Sequence, residues 1–358
     1  MSSMMPRTEV SVPEGSPGAA MEADATPQVS VVIPTHDRSG LLALALRSAL
    51  SQLDVELEVI VVDDGSTDDT SGVVAGFGDP RIRLIRHDVP QGVSAARNRG
   101  IAEARGAWIA FLDDDDLWAP EKLASQLQAA RSTDRSWVYV GSVNVSASHR
   151  VVGGKPPLPP EQLMAQLHES NVVPGGCSGV MVAREALISA GVFDPSLSLT
   201  ADWDLWLRLA TNPPACVSRP LVAYRVHAGN RSLDADRGRA EFRIVGDRYG
   251  GANSAILYRY LGWWSLRAKK RRKALGYFVW GVVRRNARYP VREFGRDLAY
   301  LARDTLDALG LRLSVPSPER RLRPQSAEVK AWTTEGQRWV DQLLAAAIDP
   351  GPLHEELG

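Results

Sequence analysis

The chain has 358 residues, 44% of them apolar and 23% charged, an ordinary composition for a folded protein and length enough for a catalytic domain plus a smaller region. Lys plus Arg and Asp plus Glu number 42 each, so no global field selects nucleic acid as a partner. Two cysteines, Cys177 and Cys216, stand without a CxxC companion, and there is no run of the roughly 18 apolar residues that a spanning helix needs. A disulfide framework, a thiolate zinc site and a membrane span are not signalled, and the expected location is cytoplasmic, at most peripheral at the inner membrane face.

Residues 1–27, rich in Pro, Gly, Ser and Ala, read as a disordered leader. From Val29 strands and helices alternate. Val29 to Pro34 is an apolar run, and Ser39 is a candidate N-cap for a helix from Leu41 to Leu50. Val55 to Val62 ends as the β-branched run expected of a strand buried on both faces, with a short helix after Ser66. Ile82 to Arg86 gives a third strand, Gly92 to Ala104 a helix, Trp108 to Leu112 a fourth strand, and Pro120 the first turn of a further helix. Trp137 to Val140 gives a fifth strand. This order implies an α/β fold with a mostly parallel sheet flanked by helices, whose ligands bind beyond the carboxyl ends of the strands. A strand-like stretch Gly179 to Ala183 and a Trp-rich helix from about Asp202 follow a Pro-rich link at 153–160.

The acids of FLDDDDLW, Asp113 to Asp116, come directly after the fourth strand. Adjacent carboxylates repel one another unless water, hydrogen-bond donors or a cation compensates. Oxygen-only ligands suit Mg²⁺ or Mn²⁺, ions that bridge one or two carboxylates to substrate phosphates; a cap or a solvated acidic turn is the bland alternative. The second strand likewise ends in Asp63, Asp64, Gly65 and Ser66, where an acid can accept hydrogen bonds from a nucleobase or ribose. The first strand ends in Pro34, Thr35, His36, Asp37 and Arg38, not in the G-x-G-x-x-G of dinucleotide binders.

In order, VSVVIPTHDR, VIVVDDGSTDDT, GVSAARNRGI, AWIAFLDDDDLW, GVFDPSL and ADWDLWLRL resemble the successive motifs of family 2 glycosyltransferases of the GT-A fold, over Val29 to about Arg231. The resemblance implies a nucleotide-sugar donor, a UDP-sugar by family habit, bound by Thr35, Asp37 and Asp63. It implies a DxD motif in Asp113 and Asp115, with Asp115 the direct metal ligand, Asp114 in the variable place beside the donor, and Asp116 matching a further common acid. Asp202 matches the general base, a role that physics allows for a carboxylate beside an acceptor hydroxyl, whereas Asp204 is accounted for by the dipole of the helix it opens. His227 corresponds to a histidine that completes metal binding, and Arg97 to a residue beside the donor that can face phosphate. Trp203 could stack an acceptor sugar, although large aromatics near helices usually fill a core. The QxxRW motif of processive synthases is missing, so one sugar per encounter is expected, moved with inversion onto a carbohydrate or lipid-linked acceptor. A sugar-phosphate nucleotidyltransferase would instead need a Gly-rich basic loop after the first strand; a carbohydrate-binding scaffold would turn over no donor.

The glycosyltransferase domain is expected at 28–232 and a helical region at 233–358. There Leu275, Phe278, Val279, Val282 and Val283 follow one helical face, Phe294, Leu298, Leu301 and Leu309 suggest another helix, and Thr334 to Gln337 resembles a capping box for a last helix through about Ala347. Nine Lys or Arg and no acid lie between Arg267 and Arg288, a pattern that could hold the protein on an anionic membrane as well as form a solvated face.

Overall fold

A computed structural model describes residues 26–226, 235–250, 254–267, 270–283, 302 and 327–348. Its first half runs β1 (Val29–Thr35), α1 (Ser39–Leu50), β2 (Leu57–Asp63), α2 (Thr70–Ala75), β3 (Ile82–Arg86), α3 (Val93–Glu103) and β4 (Trp108–Phe111). These strands lie in the order β3-β2-β1-β4, all parallel, because each connection is a helical crossover. Alternation along β1 and β2 splits their side chains between two cores: Val29, Val31, Ile33, Val59 and Val61 join Leu42 and Leu46 of α1, while Val32, Ile60 and Val62 join Ala96 and Ile101 of α3. Helix α1 starts at Ser39 itself, without a side-chain cap on the preceding Arg38. The Ser39 N–H is taken instead by Asp68 from the β2–α2 loop, at 2.8 Å.

The second half adds β5 (Leu117–Trp118), α4 (Lys122–Thr133), β6 (Trp137–Val145), β7 (Val151–Lys155), α5 (Pro160–Leu167), β8 (Val180–Ala183), α6 (Arg184–Ser189), α7 (Ala201–Leu209) and β9 (Ala215–Arg225). The sheet continues from β4 through β8, β6 and β9 to β5. Strand β8 inserts antiparallel between β4 and β6, so the fifth strand of the sequence reading is not β4's neighbour. Periodicity identifies strands but says nothing of their order. Pro120 precedes α4 and is not in its first turn.

After β9 come α8 (Ala235–Tyr249), α9 (Ser254–Arg267), α10 (Arg271–Val283) and α11 (Ala327–Ile348). Of the stripe expected to be buried on α10, Phe278 is buried together with Ala274, but Leu275 and Val279 face outward. After Arg271, Arg272 and Lys273 the helix is apolar on all sides, so the pattern cannot choose a face; the choice is made by α9, where Gly262 leaves room for the Phe278 ring. Helix α11 begins seven residues before the expected capping box, and Thr334 lies inside it. It packs on the sheet, with Trp332, Trp339, Val340 and Leu343 in the same core as β1. Trp332 donates to the Ser142 carbonyl at 3.1 Å, Trp339 to the Pro220 carbonyl at 2.7 Å, and Gln337 accepts from Val151 N–H at 2.7 Å. Close approach needs Gly336, since a Cβ there would stand 2.6 Å from Val143 Cγ1. Residues 1–25, 227–234 and 284–301, with His227, Ser232, Phe294, Leu298 and Leu301, lie outside the described residues, as does Leu309.

Candidate functional site

The strand order reverses between β1 and β4, and α1 and α3 cover opposite faces, so the carboxyl ends of these strands open a crevice. Thr35 ends β1 and the acidic run follows β4. Across from them stand a 3₁₀ turn at Gly176–Gly179, the loop into α7, and the end of β9. Between these elements lies an open cleft of about 760 Å³ whose walls include Arg38, Arg97, Asp113, Asp114, Asp115, Gly176, Ser198, Leu199, Asp202 and Tyr224.

Each acid of the run has a different environment. Asp113 accepts from Arg97 Nη2 at 2.5 Å, and its own N–H donates to Ser178 Oγ at 3.0 Å. Asp114 is buried and accepts from Thr35 Oγ1 at 2.9 Å and Arg38 Nη1 at 3.0 Å. Burial pushes its carboxyl up to about 6, against the pull of Arg38. Asp115 accepts from the same Arg38 nitrogen at 2.9 Å. Asp116 is fully buried, accepting from Ser178 Oγ at 2.6 Å and from Arg225 N–H at 2.9 Å; burial, then the charges of Asp115 and Asp113, raise it well above the carboxylate range. Asp116 and Ser178 thereby tie the acidic run to the 3₁₀ turn and to β9.

On the far wall Asp202 accepts from Trp203 N–H at 2.7 Å and from Asn171 Nδ2 at 2.8 Å. Burial raises its pKa, opposed by Arg97. Arg97 is buried between the two acidic groups, its guanidinium 5.2 Å from the Phe193 ring centre. Burial works against its charge, but Asp113 holds its pKa up. Its Nε–H has no partner among the described residues. Gly176 adopts a left-handed φ of +54°, and a Cβ on it would stand 3.6 Å from Asp202 Oδ2, so the turn keeps the space over that carboxylate open.

Four carboxylates, Asp113, Asp114, Asp115 and Asp202, thus face Arg38 and Arg97, with Arg225 beside Asp115 and Asp116. The excess negative charge and the oxygen-only donors fit a hard divalent cation held by Asp113 and Asp115. Among the described residues no three His, Cys, Asp or Glu side chains are placed to hold a metal ion alone, and substrate phosphates are the ligands such ions ordinarily add.

The structure therefore brings Asp113, Asp114, Asp115, Arg97 and Asp202 into one cleft, with Thr35 behind Asp114. Asp37 and Asp63 sit in the adjoining turn. Asp63 Oδ1 accepts from Ser66 N–H and Oδ2 from Arg86 at 2.5 Å, while Asp37, at a left-handed φ of +51°, accepts from Thr67 N–H at 2.6 Å, a bond that leads in lowering its pKa. Both acids are linked through Ser66, whose Oγ accepts from Asp37 N–H. The Trp203 ring, expected on the acceptor side, is buried: it donates to the Leu167 carbonyl at 2.7 Å and packs against Phe242. His227 lies outside the described residues.

Several residues of the site went unnoticed in the sequence. Arg38 stands inside the first motif and carries no signal of its own. Ser178 and Asn171 carry no motif signal, and Tyr224 stands in a strand that alternation did not reveal. Glu241 of α8 is a further one. Its Oε2 accepts from the N–H groups of Ser198 (3.0 Å), Leu199 (2.7 Å) and Thr200 (3.0 Å), and its Oε1 from Ser198 Oγ (3.0 Å) and Arg237 Nε (2.8 Å). Burial would raise its pKa, but Arg237 and the three amides lower it. One carboxylate thus fixes the loop that lines the cleft and leads into Asp202. Asp204 pairs with Arg208 one turn on in α7 (2.7 Å) and fastens α7 to α8 through Arg248 (3.1 Å) and Tyr249 (2.9 Å), a role beyond its place in the first turn.

The family model described as Glycosyl transferase family 2 matches residues 30–188. The chain is 30% identical over 210 residues to the Escherichia coli UDP-Glc:alpha-D-GlcNAc-diphosphoundecaprenol beta-1,3-glucosyltransferase WfaP, covering 58% of this chain and 80% of that one. It is 44% identical over 107 residues to the succinoglycan biosynthesis protein ExoO of Rhizobium meliloti (strain 1021), covering 30% of this chain and only 31% of ExoO. The crystal structure of S. aureus TarS 1-349 in complex with UDP-GlcNAc superposes with a TM-score of 0.53 at 15% identity, over 90% of this chain and 91% of that one, a likeness of fold.

Proposed function

The chain belongs to glycosyl transferase family 2 and is a glycosyltransferase, and from that premise we infer that it moves one sugar from a UDP-sugar to an acceptor hydroxyl by a single displacement with inversion. The observation that carries this reading is that Asp202 and the acidic run line the same cleft, with Arg97 between them. The donor diphosphate lies against Asp113 and Asp115, where a bound Mn²⁺ or Mg²⁺ would neutralise the departing nucleoside diphosphate. Arg97 offers its unpartnered N–H to a phosphate oxygen, and Thr35, Asp114, Asp37 and Asp63 form the nucleoside end.

Asp202, oriented by Trp203 N–H and Asn171, takes the acceptor proton as the hydroxyl oxygen attacks the anomeric carbon and the bond to diphosphate breaks on the opposite face. The names of WfaP and ExoO support a role in polysaccharide or glycoconjugate synthesis, and WfaP's lipid diphosphate acceptor supports a lipid-linked acceptor here. The free thiols of Cys177 and Cys216 suit the cytoplasm. The domain proper takes in 28–226 together with α11, which shares its core.

The test is a panel of nucleotide sugars with Mn²⁺ or Mg²⁺, scored for nucleoside diphosphate release. At least one donor should be turned over, and a chelator should stop it. Asp115→Asn should lose donor binding, whereas Asp202→Asn should keep it and lose transfer. A panel in which no donor binds or reacts sinks the reading.

A further inference from the structure

Helix α10 packs one apolar side against α9 and leaves another about half-exposed. Ala274 and Phe278 are buried toward α9, where Phe278 meets Trp263 edge-on at 5.9 Å between ring centres. Round the other side, Leu275, Val279 and Trp280 are 46%, 43% and 50% exposed. At 100° per residue the outer face reads Leu275, Val279, Arg272, Gly276, Trp280 and Lys273 in angular order. From Ala274 on, α10 is apolar all round, and such a stretch belongs in a protein interior or in an apolar phase. With 13 residues α10 is about 20 Å long, too short for a hydrocarbon core of roughly 30 Å, and among the described residues no helix is long and apolar enough to cross a membrane. The remaining orientation is flat, in the plane of an interface.

Charge selects the interface. From Ser254 to Val283 there are seven Lys or Arg and no Asp or Glu, and Lys270, Arg272 and Lys273 are exposed at the start of α10. The complement of such a surface is anionic. We propose that the outer face of α10 docks onto an anionic lipid bilayer, with Leu275, Val279 and Trp280 entering the boundary between headgroups and acyl chains and Lys270 and Arg272 meeting lipid phosphates. The docking face is coupled to the cleft. Lys273 pairs with Asp236 of α8 at 2.9 Å, and α8 carries Glu241, which fixes the loop in front of Asp202. Docking would therefore bring the acceptor side of the site to a bilayer that holds a lipid-linked acceptor; this purpose rests on the proposed function, whereas the docking itself does not.

The test is co-sedimentation of the full-length protein with phosphatidylcholine vesicles with and without phosphatidylglycerol, in the absence of substrates. Wild type should bind the anionic vesicles and release at high salt. Leu275→Glu with Val279→Glu should weaken binding about 100-fold or more, and Lys270→Glu with Arg272→Glu at least about 25-fold, near fivefold per cation lost. Both pairs should keep wild-type circular dichroism and wild-type turnover of donor in solution. Absence of wild-type binding to anionic vesicles overturns the proposal, as does equal binding by the Leu275→Glu/Val279→Glu protein. If light scattering shows that pair dissociating an oligomer while wild type ignores vesicles, the face is a protein interface and the proposal fails. None of these failures touches the transferase reading, which the donor panel judges separately.

Discussion

Replacing Glu241 by glutamine isolates a single interaction between the C-terminal helices and the catalytic cleft. The shape is kept and the charge is lost. In the native protein one carboxylate oxygen accepts three consecutive backbone N–H bonds and the other accepts from Ser198 Oγ and Arg237. Hydrogen bonds to a charged group contribute about 1.5–3 kcal/mol each, against about 1 kcal/mol for neutral ones. Glutamine keeps one acceptor oxygen for the three amides at neutral strength and turns an NH₂ toward Arg237. Because bonds sharing one acceptor are not additive, the expected loss is about 2–3 kcal/mol of unfolding free energy, measured by urea denaturation.

The pH dependence gives a second handle. Folding lowers the pKa of Glu241, so its contribution is present above the unfolded value and fades as pH falls through the folded one. The deficit of Glu241→Gln should therefore be full at neutral pH and shrink below about pH 4.5. A loosened 198–200 loop misplaces Asp202 but leaves the donor-side acids alone. A displacement of about 1 Å can cost on the order of 10²-fold in rate, so kcat should fall 10- to 100-fold, ~1.4–2.7 kcal/mol, with metal-dependent donor affinity unchanged. Wild-type kcat in Glu241→Gln, or donor affinity falling in step with kcat, would refute the reasoning.

Asp202→Asn should lower kcat by about 10² to 10⁴; because burial raises the pKa of Asp202 and a base must be ionised, wild-type kcat/KM should decline on the acid side at a higher pH than an ordinary carboxylate gives, and the variant should lack that limb. Gly336→Ala would gain about 1 kcal/mol in a free helix, but the added Cβ meets Val143 at 2.6 Å and overpacking costs about 1–3 kcal/mol, so urea melts should show a net loss; a stabilised variant would mean that α11 does not seat directly on β6. Lys122 is fully buried, with Nζ bonded only to Gln126 and above the Trp118 ring, and burial lowers its pKa well below normal. The charged form is thus disfavoured in the fold, so Lys122→Met should stabilise by about 1–3 kcal/mol near pH 7, an advantage that shrinks as pH approaches about 10.

The parallel half of the fold was legible because its signals are local: β-branched runs buried on both faces, acids where strands end, and Pro34 to Arg38 in place of a glycine loop. Strand β5 has two residues and no period to detect. In β9 Pro220 breaks the alternation, and the ladder to β6 shifts register around Gly141. The capping-box spacing of Thr334 and Gln337 points to too late a start for α11, whereas Gln337 serves the backbone of β7, 186 residues away. Trp203 is three and four residues from Trp206 and Leu207, a spacing that marks a buried face, and that signal outweighs the prospect of sugar stacking. Ser178, Asn171 and Glu241 act across gaps of 31 to 65 residues, and no periodicity carries information that far.

The same long-range contacts explain why so acidic a cleft folds at all. Asp114, raised to about 6 from an ordinary 3.8, is ionised at neutral pH against its surroundings. By linkage its contribution to stability is present below the unfolded value and is lost as pH rises through about 6, a cost near 3 kcal/mol at pH 7. Asp116 and Asp202 are shifted in the same direction. Arg38 and Arg97 offset only part of this cost, and Ser178 and Asn171 hold the carboxyl groups in place by hydrogen bonds. A cation and a diphosphate bound there would relieve the excess, so donor with metal should raise the unfolding midpoint by more than donor alone, in proportion to ln(1 + [L]/Kd). The strain that makes the free protein less stable at neutral pH would thus be returned as affinity for the metal-bound donor of the proposed reaction, and an equal midpoint shift with and without metal would refute this link.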